Sequence, residues 1–165
     1  MWINNRIVQE DLDYICSCDF IPWNKLKDKT VFITGTTGLI GQNLVNSLLY
    51  ANIKKNLNIK IIGLVRDLNK AKSLFSAQLR DAKGLEFVEG DVRSFSYPNS
   101  SIDYIIHGAS ITASKQMLDN PNEVISINID GTNNLINLAR EKKVKSFLYL
   151  SSMEVYGCSE KDSLK

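Results

Sequence analysis

Three glycines recur at intervals of three residues in the stretch VFITGTTGLIGQNLV, residues 31–45. They are Gly35, Gly38 and Gly41, and they separate an apolar run from a run with helical periodicity. A glycine turn between a strand and a helix lets backbone N–H groups approach a phosphate closely, because no side chain intervenes. The positive end of the helix then faces the phosphate. The pattern indicates a dinucleotide site, with an ordinary strand-to-helix turn as the alternative interpretation.

Each of the three glycines has a distinct expected task. Gly35, at the end of the strand, can adopt the backbone angles of a tight turn. Gly38 leaves out the side chain that would block a pyrophosphate, and Gly41 lets the helix pack closely on the sheet. Three of the four residues between these glycines are assigned to the same cofactor site: Thr37, Leu39 and Ile40.

The second apolar run, KIIGLV at residues 60–65, is followed by two charged residues, Arg66 and Asp67. A carboxylate about 20 residues past the glycines would hydrogen-bond the ribose 2′-hydroxyl of NAD. An arginine at that place suits the 2′-phosphate of NADP, with Lys70 or Lys72 nearby. Asp67 could still turn toward a hydroxyl, or the two charges could simply face solvent. We therefore expect NAD or NADP as the cofactor, with a slight preference for NADP.

Two further residue types could move protons. His107 is the sole histidine and follows an apolar run, which makes it the obvious candidate for a general base. The sequence places no carboxylate where it could orient the imidazole, so we do not assign His107 an acid–base role. Ser151 and Ser152 follow the last apolar run, and turn chemistry at a strand end explains Ser151. Ser152 has no histidine or lysine placed in sequence to activate it.

Composition and charge exclude several classes of function. The chain has 165 residues and a net charge of +2 with interleaved charges, so we expect no nucleic-acid partner. No apolar run approaches the roughly 20 residues of a membrane helix, so we expect no membrane partner. We expect no signal peptide, because four of the first twenty residues are acidic: Glu10, Asp11, Asp13 and Asp19. The cysteines lack metal-site spacing and predict reduced thiols in a cytoplasmic protein without a metal: Cys16, Cys18 and Cys158.

The residues described so far lie on alternating strands and helices. Five apolar runs have strand character: residues 30–34, 60–65, 85–89, 103–108 and 146–151. Three helices are predicted between them, at residues 39–52, 68–80 and about 121–142. Strands that alternate with helices form a parallel sheet with right-handed crossovers. The sequence therefore predicts an α/β fold with a doubly wound parallel sheet, the Rossmann fold.

Residues 1–28 precede this alternation. Apolar residues recur at helical spacing in IVQEDLDYICSC, so a short amphipathic helix is expected there. We therefore divide the chain into an N-terminal helical extension, residues 1–28, and an NAD(P)-binding domain, residues 29–165.

Several motifs in combination resemble those of a known family. TGTTGLIG, residues 34–41, resembles the motif TGxxGxxG of the extended short-chain dehydrogenase/reductase family, the NAD(P)-dependent sugar-nucleotide epimerases and dehydratases. EGDVRS, residues 89–94, resembles the family's segment after the third strand. This resemblance implies that Asp91 hydrogen-bonds the adenine amine and that Val92 flanks the adenine ring.

Three later segments follow the order of the same family. IIHGAS, residues 105–110, resembles the segment after the fourth strand that lines the cofactor, which implies cofactor contacts by four residues: His107, Gly108, Ala109 and Ser110. NIDGTNNLINLA, residues 128–139, resembles the family's long helix, with Asn128 as a buried structural asparagine. FLYLSSMEVYG, residues 147–157, resembles the fifth strand and the S-S-x-x-V-Y-G that follows it.

The family's catalytic pattern is only partly present. The resemblance implies that Ser152 hydrogen-bonds the reacting sugar oxygen, beside a Tyr-x-x-x-Lys pair about two dozen residues later. The sequence ends at Lys165, and YANIK, residues 50–54, matches that spacing only at the far end of the first predicted helix. Met153 and Glu154 replace the Asp-Glu pair of 4,6-dehydratases, which weighs against dehydratase chemistry. We therefore expect the cofactor-binding part of a longer epimerase/dehydratase-type oxidoreductase, inactive alone and truncated before the Tyr/Lys helix and the substrate domain.

A second class of function stays open at this point. GLVRDLNKAK, residues 63–72, resembles the second strand and helix of non-catalytic NAD(P)-sensing regulatory modules. Ser152 favours the enzyme, since a sensor has no need of it. The other expected partner is a nucleotide-sugar substrate of the full-length protein. A homodimer is also considered, because a sheet that is incomplete on its C-terminal side presents an open edge.

Overall fold

The computed structural model describes residues 5–157, whose strands form one parallel sheet. The strands are β1 Thr30–Thr34, β2 Lys60–Val65, β3 Leu85–Glu89, β4 Tyr104–His107 and β5 Ser146–Tyr149. Their order across the sheet is β3-β2-β1-β4-β5, and every neighbouring pair is parallel. All five predicted strands form, β4 and β5 being two residues shorter than predicted. The predicted doubly wound α/β fold is confirmed.

Residues 5–157 contain six α-helices: α1 Arg6–Ser17, α2 Leu39–Lys55, α3 Leu68–Leu74, α4 Ser76–Asp81, α5 Ser114–Asp119 and α6 Pro121–Lys142. Three of them, α3, α4 and α5, differ from the sequence-based expectation. The single helix expected at residues 68–80 is divided at Phe75, whose buried ring packs 5.5 Å from the ring of Phe87. Helix α5, a short and exposed polar segment, was not predicted.

Hydrophobic cores lie on both faces of the sheet. Because side chains alternate along a strand, Val31 and Ile33 of β1 pack on one face while Phe32 packs on the other. The first face is covered by α1 and α2, with Leu49 of α2 fully buried. The second is covered by α6, which buries Leu135 there. Because helices cover both faces, a ligand can approach the sheet at the ends of its strands, and open α/β sheets bind ligands at the carboxyl ends.

Helix α1 packs against α2 rather than standing apart. Leu12 and Cys16 of α1 are buried in the same core as α2. The Tyr50 hydroxyl of α2 donates a 2.5 Å hydrogen bond to Asp13, and Lys54 Nζ lies 3.4 Å from the same carboxylate. Tyr50 and Lys54 therefore bind α1, as expected for a pair outside the site. Across residues 5–157, none of the helices has the length and apolar character to cross a membrane.

Candidate functional site

A cleft of about 730 Å³ lies at the carboxyl edge of the sheet, above the ends of all five strands. The strand order reverses between β1 and β4, and open α/β sheets bind ligands at such a switch point. Nearly all the predicted site residues line this cleft: Gly35, Thr37, Gly38, Leu39, Ile40, Gly41, Arg66, Asp91, Val92, Gly108, Ala109, Ser110 and Ser152. The structure thus brings together residues that are more than a hundred positions apart in the sequence.

The three glycines of the turn have different surroundings: two are packed against backbone atoms and one borders open space. Gly35 has a φ of +72°, and a Cβ there would overlap the carbonyl group of Gly108. A Cβ on Gly41 would overlap the carbonyl of Gly35. At Gly38 a Cβ would meet only the Gly35 oxygen, at 3.2 Å. Gly38 therefore borders free space in the cleft, whereas Gly35 and Gly41 are required by close backbone packing.

The first turn of α2 faces this free space without a side-chain cap. Gly38 is the N-cap residue of α2 and supplies no side-chain hydrogen bond. The first N–H groups of a helix have no partner within the helix, and they carry its positive dipole end. An anionic group above Gly38 would satisfy them, so the local geometry fits a phosphate.

Two residues that support this turn were not identified from the sequence. Thr36 is fully buried, and its hydroxyl donates to the Ile33 carbonyl at 2.9 Å, which ties the turn to the end of β1. Gly63 of β2 makes room for it, because a Cβ there would lie 2.8 Å from the Thr36 methyl group. A glycine inside an apolar strand is the signal for such a close approach.

Charged residues flank the cleft beyond β2 and β3. Arg66 is exposed and lines the cleft, whereas Asp67 caps α3 by accepting a 2.8 Å hydrogen bond from the Lys70 N–H. Asp67 does not line the cleft, so the structure does not support its turning toward a ribose hydroxyl. Asp91 is paired with Arg93, whose guanidinium lowers the pKa of that carboxyl below its ordinary value.

His107 lies beneath the cleft, not on its surface. Its side chain is fully buried, and it is absent from the cleft lining. The structure therefore does not support direct contact of this imidazole with a cofactor, contrary to the sequence-based prediction. The physical reason is the alternation of side chains in β4, which directs His107 into the layer between the sheet and α6.

The hydrogen bonds around His107 fix the direction of each donor. Thr34 Oγ1 accepts from the Gly108 and Ala109 N–H groups, so its own hydrogen points to His107 Nδ1, 2.8 Å away. On the other side, Thr132 Oγ1 donates to the Asn128 carbonyl and must accept from His107 Nε2 at 3.0 Å.

This arrangement holds His107 in the neutral tautomer with hydrogen on Nε2. Burial lowers the pKa of His107 to about 4, which agrees with a neutral ring. The ring thereby connects the cleft floor at Gly108 to helix α6. A structural role explains His107 better than proton transfer.

Serines and Asn128 form the far end of the cleft. Ser151 and Ser152 follow β5 and line the cleft beside Tyr149. The Ser110 hydroxyl donates to Asn128 Oδ1 at 3.1 Å, and Asn128 also lines the cleft, which the sequence alone did not indicate. Within residues 5–157, no cluster of three or more potential metal ligands occurs. Cys158 lies outside the described residues.

Comparison with known proteins agrees with this geometry. The family model described as "NAD dependent epimerase/dehydratase family" matches residues 31–164. The UDP-glucose 4-epimerase of Rickettsia prowazekii is 32% identical over 129 residues, covering 76% of this chain and 37% of the relative. The human dTDP-D-glucose 4,6-dehydratase is 28% identical over 137 residues, covering 79% of this chain and 37% of the relative.

A solved structure shows the same fold. The UDP-N-acetylglucosamine 4-epimerase of Methanobrevibacter ruminantium superposes with a TM-score of 0.68 at 22% identity, over 84% of this chain and 43% of that chain. The chain spans about two fifths of the length of these relatives. Because the family model covers most of the sequence, the chain belongs to the NAD dependent epimerase/dehydratase family.

Proposed function

We propose that this chain binds NAD or NADP and serves a nucleotide-sugar epimerase/dehydratase-type oxidoreductase, which transfers hydride at a sugar hydroxyl or ketone. The observation that carries the proposal is the open space above Gly38, bordered by the uncapped first turn of α2 within a cleft of about 730 Å³. When bound, the nicotinamide ring would accept and return the hydride. The side chains and backbone groups of the cleft would bind and orient the cofactor and the substrate.

The cleft suits an extended dinucleotide. Arg66 and Asp91 follow β2 and β3, at one end, and Ser152 follows β5, at the other. Three interstrand spacings separate β2 from β5, or about 14 Å. In this proposal the first turn of α2 binds the pyrophosphate, Arg66 and Asp91 bind the adenosine half, and the backbone at Gly108 and Ala109 lines the nicotinamide half.

Ser152 is the residue proposed to contact the substrate. It is exposed at the end of β5 and lines the cleft. A hydroxyl there can hydrogen-bond the sugar oxygen whose proton leaves during oxidation, and so hold that oxygen in place. The nucleotide-sugar substrate class is proposed from the relatives named above, which include an epimerase and a dehydratase.

Substitution of Gly38 by aspartate and by asparagine tests the proposed phosphate position. Both side chains are better helix N-caps than most residues, and the φ of −77° at Gly38 accepts them, so the fold should persist. Asparagine adds bulk, whereas aspartate adds similar bulk and a negative charge. A charge about 4 Å from a phosphate costs about 1 kcal/mol in bulk water and about 4 kcal/mol at an effective dielectric constant of 20.

Calorimetric titration with NADH and NADPH provides the measurement. We expect Gly38→Asn to weaken binding and Gly38→Asp to weaken it further, at least about fivefold beyond Gly38→Asn. Thermal unfolding measures any cost of the 3.2 Å approach of the new Cβ to the Gly35 oxygen, a cost that the asparagine and aspartate variants share. Asn43→Val, in α2 but outside the cleft lining, is the control. If wild type and Gly38→Asp bound the dinucleotides with equal affinity, no phosphate would bind at this position.

A regulatory module that senses NAD(P) without turnover is the second candidate. Tyr50 and Lys54 have the Tyr-x-x-x-Lys spacing, but their side chains bind Asp13 of α1 and neither residue lines the cleft. This placement favours a binding function for the 165-residue chain on its own. Incubation of the chain with NAD(P) and a panel of UDP-, dTDP- and GDP-sugars tests whether the chain itself turns over a substrate. Turnover that is lost in Ser152→Ala would exclude the sensor.

Four finer features complete the proposal. Arg66 is proposed to favour NADP, since it lines the cleft while Asp67 does not. A homodimer is proposed to form through α6, where Ile125 and Ile129, four residues apart, are each 56% exposed. The free thiols Cys16 and Cys18 fit a cytoplasmic location. The boundary between extension and cofactor domain is proposed at residues 28 and 29.

A further inference from the structure

Asp91 and Arg93 form a two-point ion pair at the adenosine end of the cleft. Arg93 Nε donates to Asp91 Oδ1 at 2.8 Å, and Arg93 Nη2 donates to Oδ2 at 2.7 Å. The backbone N–H of Arg93 also donates to Oδ1, at 2.9 Å. Asp91 lines the cleft, but Arg93 does not. The guanidinium therefore holds the carboxylate from outside the ligand space.

These three hydrogen bonds leave one oxygen of the Asp91 carboxylate able to accept a further hydrogen bond. Each carboxylate oxygen can accept about two hydrogen bonds. Oδ1 accepts two from Arg93, whereas Oδ2 accepts one from it. Oδ2 can thus accept a further donor from the cleft.

The backbone around Asp91 is fixed independently of the guanidinium. The Ser94 N–H donates to the Asp91 carbonyl at 2.9 Å, and Asn134 Nδ2 donates to the Val92 carbonyl at 2.9 Å. Gly131 of α6 leaves the space that Val92 fills, because a Cβ there would lie 2.7 Å from Val92 Cγ1. The segment therefore stays in place without the Arg93 side chain, and what that side chain decides is the rotation of the Asp91 carboxylate.

We propose that Arg93 is a positioning residue that makes the cleft select a purine with an exocyclic amine, adenine rather than hypoxanthine, by presenting Asp91 Oδ2 to that amine. The inference rests on the proposed binding of a dinucleotide. The amine of adenine donates to the oriented oxygen. Hypoxanthine places a carbonyl oxygen there instead, so that two acceptors face each other and the analogue is rejected.

Binding of NAD and of nicotinamide hypoxanthine dinucleotide tests the proposal, because the two differ at that purine group. The measured quantity is the ratio of the two dissociation constants by calorimetry. For wild type we expect a preference for NAD on the order of tenfold to a hundredfold, the range of a hydrogen bond to a charged group. Arg93→Ala should bring the ratio close to one. Arg93→Lys keeps the charge but loses the planar pair of donors, so its ratio should be intermediate.

Two further variants separate positioning from a general effect on the fold. Arg80→Ala is the matched control, because Arg80 Nε contacts Asp81 at 2.8 Å in a similar pair of residues outside the cleft lining. It should leave the ratio unchanged. If Arg93 acts through Asp91, then Arg93→Ala should not change the ratio further in an Asp91→Asn background.

The outcomes distinguish this inference from the proposed function. A wild type that binds neither dinucleotide would overturn the proposed function and the inference together. A wild type that binds both equally well would overturn the inference alone, since Asp91 would then not read the amine. The inference would also be overturned if Arg93→Ala kept the wild-type preference for NAD while its thermal unfolding showed an intact fold.

Discussion

Acidification from pH 7 to pH 4.5 should destabilise the chain through His107. Burial lowers the pKa of His107 from 6.5 to about 4 in the folded chain. Between these values the unfolded chain binds the proton and the folded chain does not, so stability falls as pH falls through this window. The full window corresponds to about 3 kcal/mol, most of which is lost by pH 4.5.

Urea unfolding of wild type and His107→Gln at both pH values isolates this contribution. Glutamine is neutral and can keep the donor to Thr132, although it loses the contact with Thr34. The variant starts less stable at pH 7, but its loss of unfolding free energy on acidification should be smaller than that of wild type by about 2 to 3 kcal/mol. Carboxylates titrate alike in both proteins and cancel in the comparison. Equal losses would refute the assignment of His107 as a buried neutral ring.

Nitrogen-15 NMR of the histidine side chain tests the tautomer directly. The chain has one histidine, so the spectrum contains one imidazole. The donor directions at Thr34 and Thr132 require the hydrogen on Nε2. A hydrogen on Nδ1 would contradict the direction that we assign to the whole network.

Three other predictions concern the cofactor, α1 and the proposed dimer. Arg66→Ala should weaken NADPH binding by about 1.5–3 kcal/mol and barely change NADH binding, as measured by calorimetry; equal losses for the two cofactors would mean that Arg66 does not bind a 2′-phosphate. Tyr50→Phe, which removes the hydroxyl bound to Asp13, should accelerate amide exchange in α1 without changing NADH affinity; unchanged exchange would show that this bond does not hold α1. Ile129→Glu should shift sedimentation toward a monomer while Leu118→Glu, on exposed α5, should not; a wild-type profile for Ile129→Glu would exclude α6 as the dimer surface.

The sheet could be predicted closely because its signals are local. Each strand is a short apolar run bounded by polar residues, and the extent of β1, β2 and β3 agrees with the sequence prediction residue for residue. The helix predicted at 68–80 failed at Phe75 because that side chain turns into the core against Phe87, and tertiary packing outweighs periodicity there. Nothing in a helical pattern reports such a contact.

The parts of the candidate site that could be predicted are those where the residue type and its position along the chain together indicate one role. The spacing of the glycines indicated the turn, and the strand end indicated Arg66. Three features could not be read from the sequence, because they depend on side-chain directions that only the folded backbone sets. Thr36 is held at the end of β1 by backbone carbonyls, Asp91 is engaged by Arg93, and His107 lies below the cleft instead of lining it. The direction of the His107 side chain at the end of β4 decides whether it lines the cleft, and the family motif does not specify that direction.

The residues around the cleft form two groups: residues that build the cleft and residues that face the space for a ligand. Substitutions in the two groups should have different effects on stability and on affinity. Thr34 illustrates the first group, since its hydroxyl accepts the N–H groups of Gly108 and Ala109 while it donates to His107. Protonation of His107 would take away the acceptor for that hydroxyl hydrogen and loosen the floor, so acid should reduce stability and cofactor affinity together. Gly38 and Arg66 face open space and support no packing that a substitution would remove. Changes at these two positions should therefore alter affinity much more than stability, and this contrast is what we expect of a dinucleotide site at the carboxyl ends of the strands.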